Sequence, residues 1–326
     1  MISRTVPDGR EPVKEVASAL RERLAGAFRG AGFVHRLAPV DIAAELHERL
    51  AHLRDSGLLS ERLYEEYEES LVFSCAGADR PRTLIVVATP SPAVKVRFHL
   101  DEGPLEAVIP PTYIHRADQE RCLEIIRSVL APAGGKVDLA RGPLKLLATH
   151  SGLAQYGRNN LAYVTGLGSY VRLDAYCTDV DLGAVRHEFK GSLRMSCCPP
   201  CRNCHHVCPT GCIPHDGTVI DAERCLTFLN EHEGEWPEWL DPRAHNSLVG
   251  CMNCHALCPA NRYYVRKERV VAEFDRAETD LILQGLAADS LPSALREKLV
   301  KLDLDEYATV LGRNLRALAR AERERA

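Results

Sequence analysis

Residues 197–214 read CCPPCRNCHHVCPTGCIP, and residues 250–264 read GCMNCHALCPANRYY. Cysteine recurs here at intervals that no packed core needs. Cys198, Cys201, Cys204 and Cys208 fit C-x2-C-x2-C-x3-C, with Pro209 next. In that run three cysteines grip one [4Fe–4S] cube and the fourth reaches another. The short gaps wrap the backbone round a cluster, and the proline turns the chain away. The second run supplies Cys251, Cys254 and Cys258 before Pro259, one cysteine short of a full set. Cys225, upstream in DAERCLTFLN, completes it. The crossed pattern expects Cys198, Cys201, Cys204 and Cys258 on one cube, and Cys208, Cys225, Cys251 and Cys254 on the other. A zinc ribbon is the competing reading of two C-x2-C pairs. It does not require seven motif cysteines with two C-P endings. Cys197 is the alternative to Cys198, and the spacing favours Cys198. Cys75, Cys122, Cys177, Cys197 and Cys212 are surplus, and most read as buried small hydrophobes.

The chain has 326 residues, 45% hydrophobic and 26% charged, as a soluble globular protein of one large or two ordinary domains has. A net charge of −4 gives the whole molecule no pull toward nucleic acid. The basic stretch GRNLRALARAERERA reads as a solvated helix face. The start of the chain shows neither an apolar targeting region nor a twin-arginine pair. The apolar run LIVVA from Leu84 is far too short to span a bilayer. The expectation is a cytoplasmic protein without a membrane partner. Its 13 cysteines then point to metal rather than to a disulfide framework.

Four segments are expected. Residues 1–75 carry helical periodicity, with Gly30 and Gly32 closing a first helix and Asp41 capping a second. Residues 76–190 form an α+β core. RTLIVVATP and AVKVRFHL read as strands, VIPPTYIHRADQ as a loop entering a helix, and GKVDL as a short strand. A helix through GPLKLLATHSG and a hairpin around TGLGS follow. Residues 191–268, rich in Pro, Gly, His and Cys, have the composition of a domain organised by its cofactor. Residues 269–326 read as packed helices.

Ser151–Leu182, SGLAQYGRNNLAYVTGLGSYVRLDAYCTDVDL, followed by the double-cluster run, resembles the cobalamin-dependent iron–sulfur reductases. These include epoxyqueuosine reductases and reductive dehalogenases. The glycine-rich texture is similar to the dehalogenase branch; the spacing of Cys225 and the chain length are similar to the epoxyqueuosine branch. The resemblance implies a nitroreductase-like core that buries base-off cobalamin beside the nearer cluster. It implies a corrin-facing loop at Gly152, Leu153, Gly157, Arg158, Asn159 and Asn160. Ala162, Gly168, Ser169 and Leu173 match positions on the next hairpin, and Thr227, Asn230 and His232 a further segment. Ordinary hairpin turns remain the competing account of the glycines. A D-x-H-x-x-G run for a histidine lower ligand is absent.

Asp138 stands where the family carries a proton donor, and equally where it would cap the next helix. Tyr113 and Arg141 are further candidates. The proline and glutamate that follow the family's aspartate are replaced by LARGPLK, and its tyrosine- and arginine-rich substrate loop by VIPPTYIHRADQ. The expected function is reduction of a small or nucleoside-type substrate, with electrons from a donor such as ferredoxin or flavodoxin. Three alternatives stand beside it: an electron-transfer module without corrin, an epoxyqueuosine reductase acting on tRNA, and a reductase for another protein's corrinoid.

Overall fold

The computed structural model describes residues 10–75, 80–188, 193–215, 219–265 and 268–325. The chain begins with helix α1 (Arg10–Ala31), strand β1 (Val34–Pro39) and helix α2 (Ile42–Asp55). Two short helices, α3 (Glu61–Glu66) and α4 (Glu68–Leu71), lead to β2 (Ser74–Cys75). Next come β3 (Thr83–Pro90), β4 (Val94–Leu100), β5 (Gly103–Ile109) and α5 (Arg116–Leu130). Then follow β6 (Val137–Arg141), α6 (Leu144–His150), β7 (Ala154–Tyr156), β8 (Ala162–Val164) and β9 (Val171–Thr178). The cysteine-rich segment holds only α7 (Asn203–Val207), α8 (Leu226–Glu231), α9 (Asn253–Ala256) and single 3-10 turns. The chain closes with β10 (Val270–Phe274), α10 (Arg276–Leu283), α11 (Ser293–Lys301) and α12 (Ala308–Arg325).

The main sheet runs β1-β3-β9-β6-β2, with every neighbouring pair antiparallel. Successive side chains of a strand point to opposite faces. In β3, Leu84, Val86 and Ala88 therefore join one core, with α2 and α6, while Ile85 and Val87 join another, with α1 and α5. Burial on both faces explains why this strand reads as a continuous apolar run rather than an alternation.

A second sheet, β10-β4-β5, packs on the C-terminal helices. The boundary expected at residue 269 cuts across this unit. β10 pairs in parallel with β4, and the rings of Phe98 and Phe274 stack at 4.8 Å. Residues 269–326 thus complete the core rather than follow it. Asp303 reaches back to accept from the backbone N–H groups of His115 and Arg116, at 2.6 and 2.9 Å. A distant carboxylate supplies the cap that the start of α5 lacks locally.

The N-terminal segment is likewise not purely helical, because β1 is an edge strand of the main sheet. The expected hairpin round TGLGS also differs. β8 pairs with β7, and β9 enters the main sheet between β3 and β6. Two surplus cysteines are not simply buried hydrophobes, since Cys75 and Cys177 form a disulfide, Cα–Cα 6.2 Å. No described helix is long and apolar enough to cross a membrane.

Candidate iron–sulfur centres and the cavity beside them

The chain folds the two cysteine runs over one another, with α7 packed on α9. A small space of about 70 Å³ lies among Cys198, Cys201, Cys204 and Cys258, with Cys197 at its rim. Cys198 is buried and Cys197 exposed. Burial, then the nearby Cys258 and Cys198 thiolates, pushes Cys204 up to about 11. Cys251 is likewise pushed to about 11 by burial, with the charges of Cys225 and Cys208 adding to it. Burial, then the charges of Cys251 and Cys225, raises Cys254. Cys204 also raises Cys254, so the two groups of thiols lie close to one another. Crowded buried thiolates repel one another, and bound iron supplies the positive charge that lets them ionise together. Among the described residues no three His, Cys, Asp or Glu converge tightly enough to hold a single ion. The sets are wider, and their all-thiol chemistry fits cubes.

Cys212, counted as surplus, belongs beside the second set. Its Sγ is 3.4 Å from Cys208 Sγ. Its hydrogen bonds with Cys208 and Cys225 pull Cys208 down to about 5 and Cys225 to about 7, and push its own thiol up.

Several residues expected to face a corrin instead build the cluster scaffold. Arg158 is 3% exposed, and its guanidinium donates to the carbonyls of Cys198 (2.9 Å), Cys201 (3.3 Å), Pro199 (3.3 Å) and His215. Asn159 Nδ2 donates to the Cys254 carbonyl at 3.2 Å. Asn230 Nδ2 donates to the Gly250 carbonyl at 2.7 Å, and Asn314 of α12 donates to the carbonyls of Asn230 and Leu248. Thr227 hydrogen-bonds Cys225, and His232 contacts Glu66 and the Phe228 carbonyl. The glycines also face protein. A Cβ on Gly152 would strike His187, and one on Gly157 would strike Asn159 and Tyr163. Gly168, at φ +62°, leaves the space through which Asn261 reaches the loop before β9.

A cavity of about 710 Å³ opens between the main sheet, α2, α6, the β7–β8 hairpin and the cluster segment. Of the residues expected at the corrin, Asn160, Ala162, Ser169 and Leu173 line it. Its walls are largely aliphatic, from Leu50, Leu53, Leu59, Leu71, Leu144 and Val171. Arg49, Lys145, Arg172, Arg194 and His255 supply the polar chemistry. Lys145 Nζ donates to the Asn160 carbonyl at 3.2 Å, and its side chain is exposed along the cavity. Among the described residues three non-glycines have positive φ, and two of them, Thr112 (84°) and Asn160 (58°), line this cavity. Such strain collects where a wall must be shaped for a ligand.

Asp138, Tyr113 and Arg141 do not line the cavity. The Asp138 carboxylate accepts from its neighbour's Leu139 N–H at 2.8 Å. Tyr113 donates to Glu231, and burial raises its pKa well above the ordinary phenol value. Arg141 lies at the end of β6, opposite Ser74. Alignment of motif offsets did not account for where the strand ends: the cavity wall begins at Gly142, after β6.

Two thiol sets beside an α+β core are the arrangement of a double-cluster iron–sulfur protein. Residues 197–261 match the family model of the 4Fe-4S double cluster binding domain. The chain is homologous to epoxyqueuosine reductases. It is 36% identical to that of Escherichia coli K12 over 118 residues, 36% of this chain and 29% of the relative. It is 28% identical to that of Alicycliphilus denitrificans over 273 residues, 76% of this chain and 72% of the relative. The match thus spans less than a third of the length of the E. coli relative. An epoxyqueuosine reductase solved with an epoxyqueuosine-modified tRNA-Tyr stem loop shares the fold at a TM-score of 0.67 and 16% identity, covering 94% of this chain and 82% of that one. The Streptococcus thermophilus enzyme does so at 0.63 and 16%, covering 93% and 81%.

Proposed function

We propose that this protein is an iron–sulfur oxidoreductase of the epoxyqueuosine reductase type, holding cobalamin in the 710 Å³ cavity and reducing an epoxide-bearing nucleoside carried on tRNA. The observation that carries this reading is the juxtaposition of that cavity with the second thiol set. His255, on its wall, directly follows Cys254, and Lys145, also on its wall, feels the charge of Cys225. The set of Cys208, Cys225, Cys251 and Cys254 is therefore the nearer cluster. The set of Cys198, Cys201, Cys204 and Cys258 would receive electrons from a donor such as ferredoxin or flavodoxin.

The wall fits the group. Aliphatic side chains suit a broad ring, and the backbone strain at Thr112 and Asn160 shapes the wall. The nitroreductase-like description of the core belongs to this proposal. Bound there, cobalamin would supply a strongly reducing, nucleophilic metal centre that the protein alone lacks. The protein's own part is positioning and proton delivery. Removing an epoxide oxygen takes up two electrons and two protons and releases water. Lys145 is the acid on the wall: its ammonium, exposed along the cavity, can give a proton to an oxygen developing negative charge. Arg49, Arg172 and Arg194 place positive charge where phosphates of a nucleotide substrate or of the cofactor would lie. Asp138, Tyr113 and Arg141, off the wall, would serve only by positioning.

Anaerobically purified, reconstituted protein should carry about eight irons and one cobalt per chain. With a chemical reductant it should then convert epoxyqueuosine-containing tRNA, and Lys145→Met should slow conversion at least about 100-fold. Full metal loading without conversion would remove the tRNA substrate. Iron without cobalt would leave an electron-transfer protein.

A further inference from the structure

The two stretches that supply seven of the eight thiolates, residues 189–214 and 242–267, hold seven Lys or Arg and no Asp or Glu. The whole chain is at −4, so these stretches are basic within an otherwise acidic molecule. Part of that charge is used elsewhere: Arg194 lines the cavity, and Arg243 pairs with Asp241. Arg262 is not. It is exposed at the end of the 3-10 turn that follows Cys258, and it lies 4.5 Å over the Tyr263 ring. It donates to the Tyr263 hydroxyl at 2.7 Å, and among the described residues it has no carboxylate partner. Arg202, half-buried between Cys201 and Cys204, contacts His215. Apolar groups share this face. Leu257, next to Cys258, is 55% exposed and Tyr263 is 72% exposed. The space among Cys198, Cys201, Cys204 and Cys258 reaches the surface here, since Cys197, Asn203 and Pro259, which line it, are exposed.

We infer that this face, with Leu257, Arg262 and Tyr263 at its centre, is the docking surface of an acidic one-electron carrier protein. The inference rests on the proposed reductase reading and deepens it, by giving the partner's chemistry and the place where it docks. Electron transfer falls steeply with distance, so the entry cluster has to lie just beneath the surface that the carrier meets. The first thiol set does so, whereas the second meets the cavity. Each encounter oxidises the carrier by one electron and reduces the cluster by one, with no bond made or broken. An arginine stacked on a tyrosine beside an exposed leucine has the composition of a protein–protein contact. A brief redox encounter needs only a small patch of this kind, and charge complementarity sets its rate. RNA would be drawn by the same positive charge, but an exposed leucine beside a cluster ligand offers a phosphate backbone nothing.

The test uses the full chain with reconstituted clusters, mixed anaerobically with reduced flavodoxin, an acidic one-electron carrier, and followed by bleaching of the cluster absorbance. The wild-type rate should fall at least about 10-fold as salt rises from about 0.05 to about 0.5 M. Arg262→Glu should slow reduction at low salt at least about 10-fold, with iron per chain and the rate of reduction by dithionite unchanged. Leu257→Asp should slow it in the same way. Arg296→Glu, the same charge change on α11, should match the wild type. A salt-independent wild-type rate would overturn the inference, as would Arg262→Glu reduced at the wild-type rate. Equal slowing by Arg296→Glu would reduce the effect to net charge and overturn it too. If Arg262→Glu instead weakens binding of a tRNA stem loop and leaves the flavodoxin rate intact, the face belongs to RNA. The wild-type salt series decides the matter even where a variant loses iron. Failure to take up cobalt would remove the cobalamin reading and leave this test standing.

Discussion

The main sheet and the cysteine-rich segment hold their shape by opposite means. In the sheet, β3 is buried along seven of its eight residues, between α1 and α5 on one face and α2 and α6 on the other. Apolar burial of about 25 cal/mol per Å² is enough to order such a layer. Around the clusters, the apolar groups are small: Leu226, Leu240 and Ala244 in one, Ala93, Tyr170 and Met252 in another. Order there comes from polar cross-ties, Arg158 to four carbonyls and Asn314 to two, and from thiols that await metal. A region built this way folds with its cofactor, and a region built like the sheet folds without it.

The largest effect should break the cluster side alone. Cys258→Ala should drop iron from about eight to about four per chain, while the far-ultraviolet circular dichroism of the sheet persists. Collapse of the whole fold would refute the division. Arg158→Met leaves four carbonyls without their donor and should cost about 4 kcal/mol, felt as loss of the same cluster on gel filtration. Leu84→Ala should do the reverse, lowering unfolding stability by about 3 kcal/mol in denaturant while iron per folded chain is unchanged.

The sheet also has a titrating weakness. Burial, with Arg36 adding to it, lowers His35 to about 4. The folded value lies below the unfolded one, so the unfolded chain binds the extra proton. His35 therefore contributes its full stability above about pH 6.5 and loses it as pH falls toward 4. Melting at pH 7 and at pH 5 should differ by about 2 kcal/mol more in the native chain than in His35→Phe. The smallest effect is at α10, where Asp275 and Glu278 form a reciprocal cap. Asp275→Ala should cost about 1 kcal/mol and leave both iron and cobalt unaffected.

The clusters were legible because their ligands are local. Two- and three-residue gaps encode the geometry of a cube directly, and the crossed pattern has only Cys208, Cys225 and Cys258 coming from afar. β3 and β4 were legible from their apolar patterns. β1, β5 and β10 were not, because each is short and takes its place from a partner distant in sequence. The glycine-rich block was recognised, yet Gly152 packs on His187, Gly157 on Asn159 and Tyr163, and Gly168 on Asn261, while Arg158 and Asn159 tie to carbonyls of the cysteine-rich segment. The hydrogen bond of Asp138 to its neighbour and its distance from the wall could not be seen, since one residue of register moves a side chain to the other face of a strand.

Sequence alone carried the double-cluster motif and its homology, and the expectation of eight thiolates in two sets, because ligand spacing is a property of the chain. Tertiary structure alone decided the cavity, the disulfide between Cys75 and Cys177, the place of Cys212 beside Cys208, and His255 on the cavity wall. The disulfide and the contact of His255 with Ser169 join segments 102 and 86 residues apart, which no local pattern records.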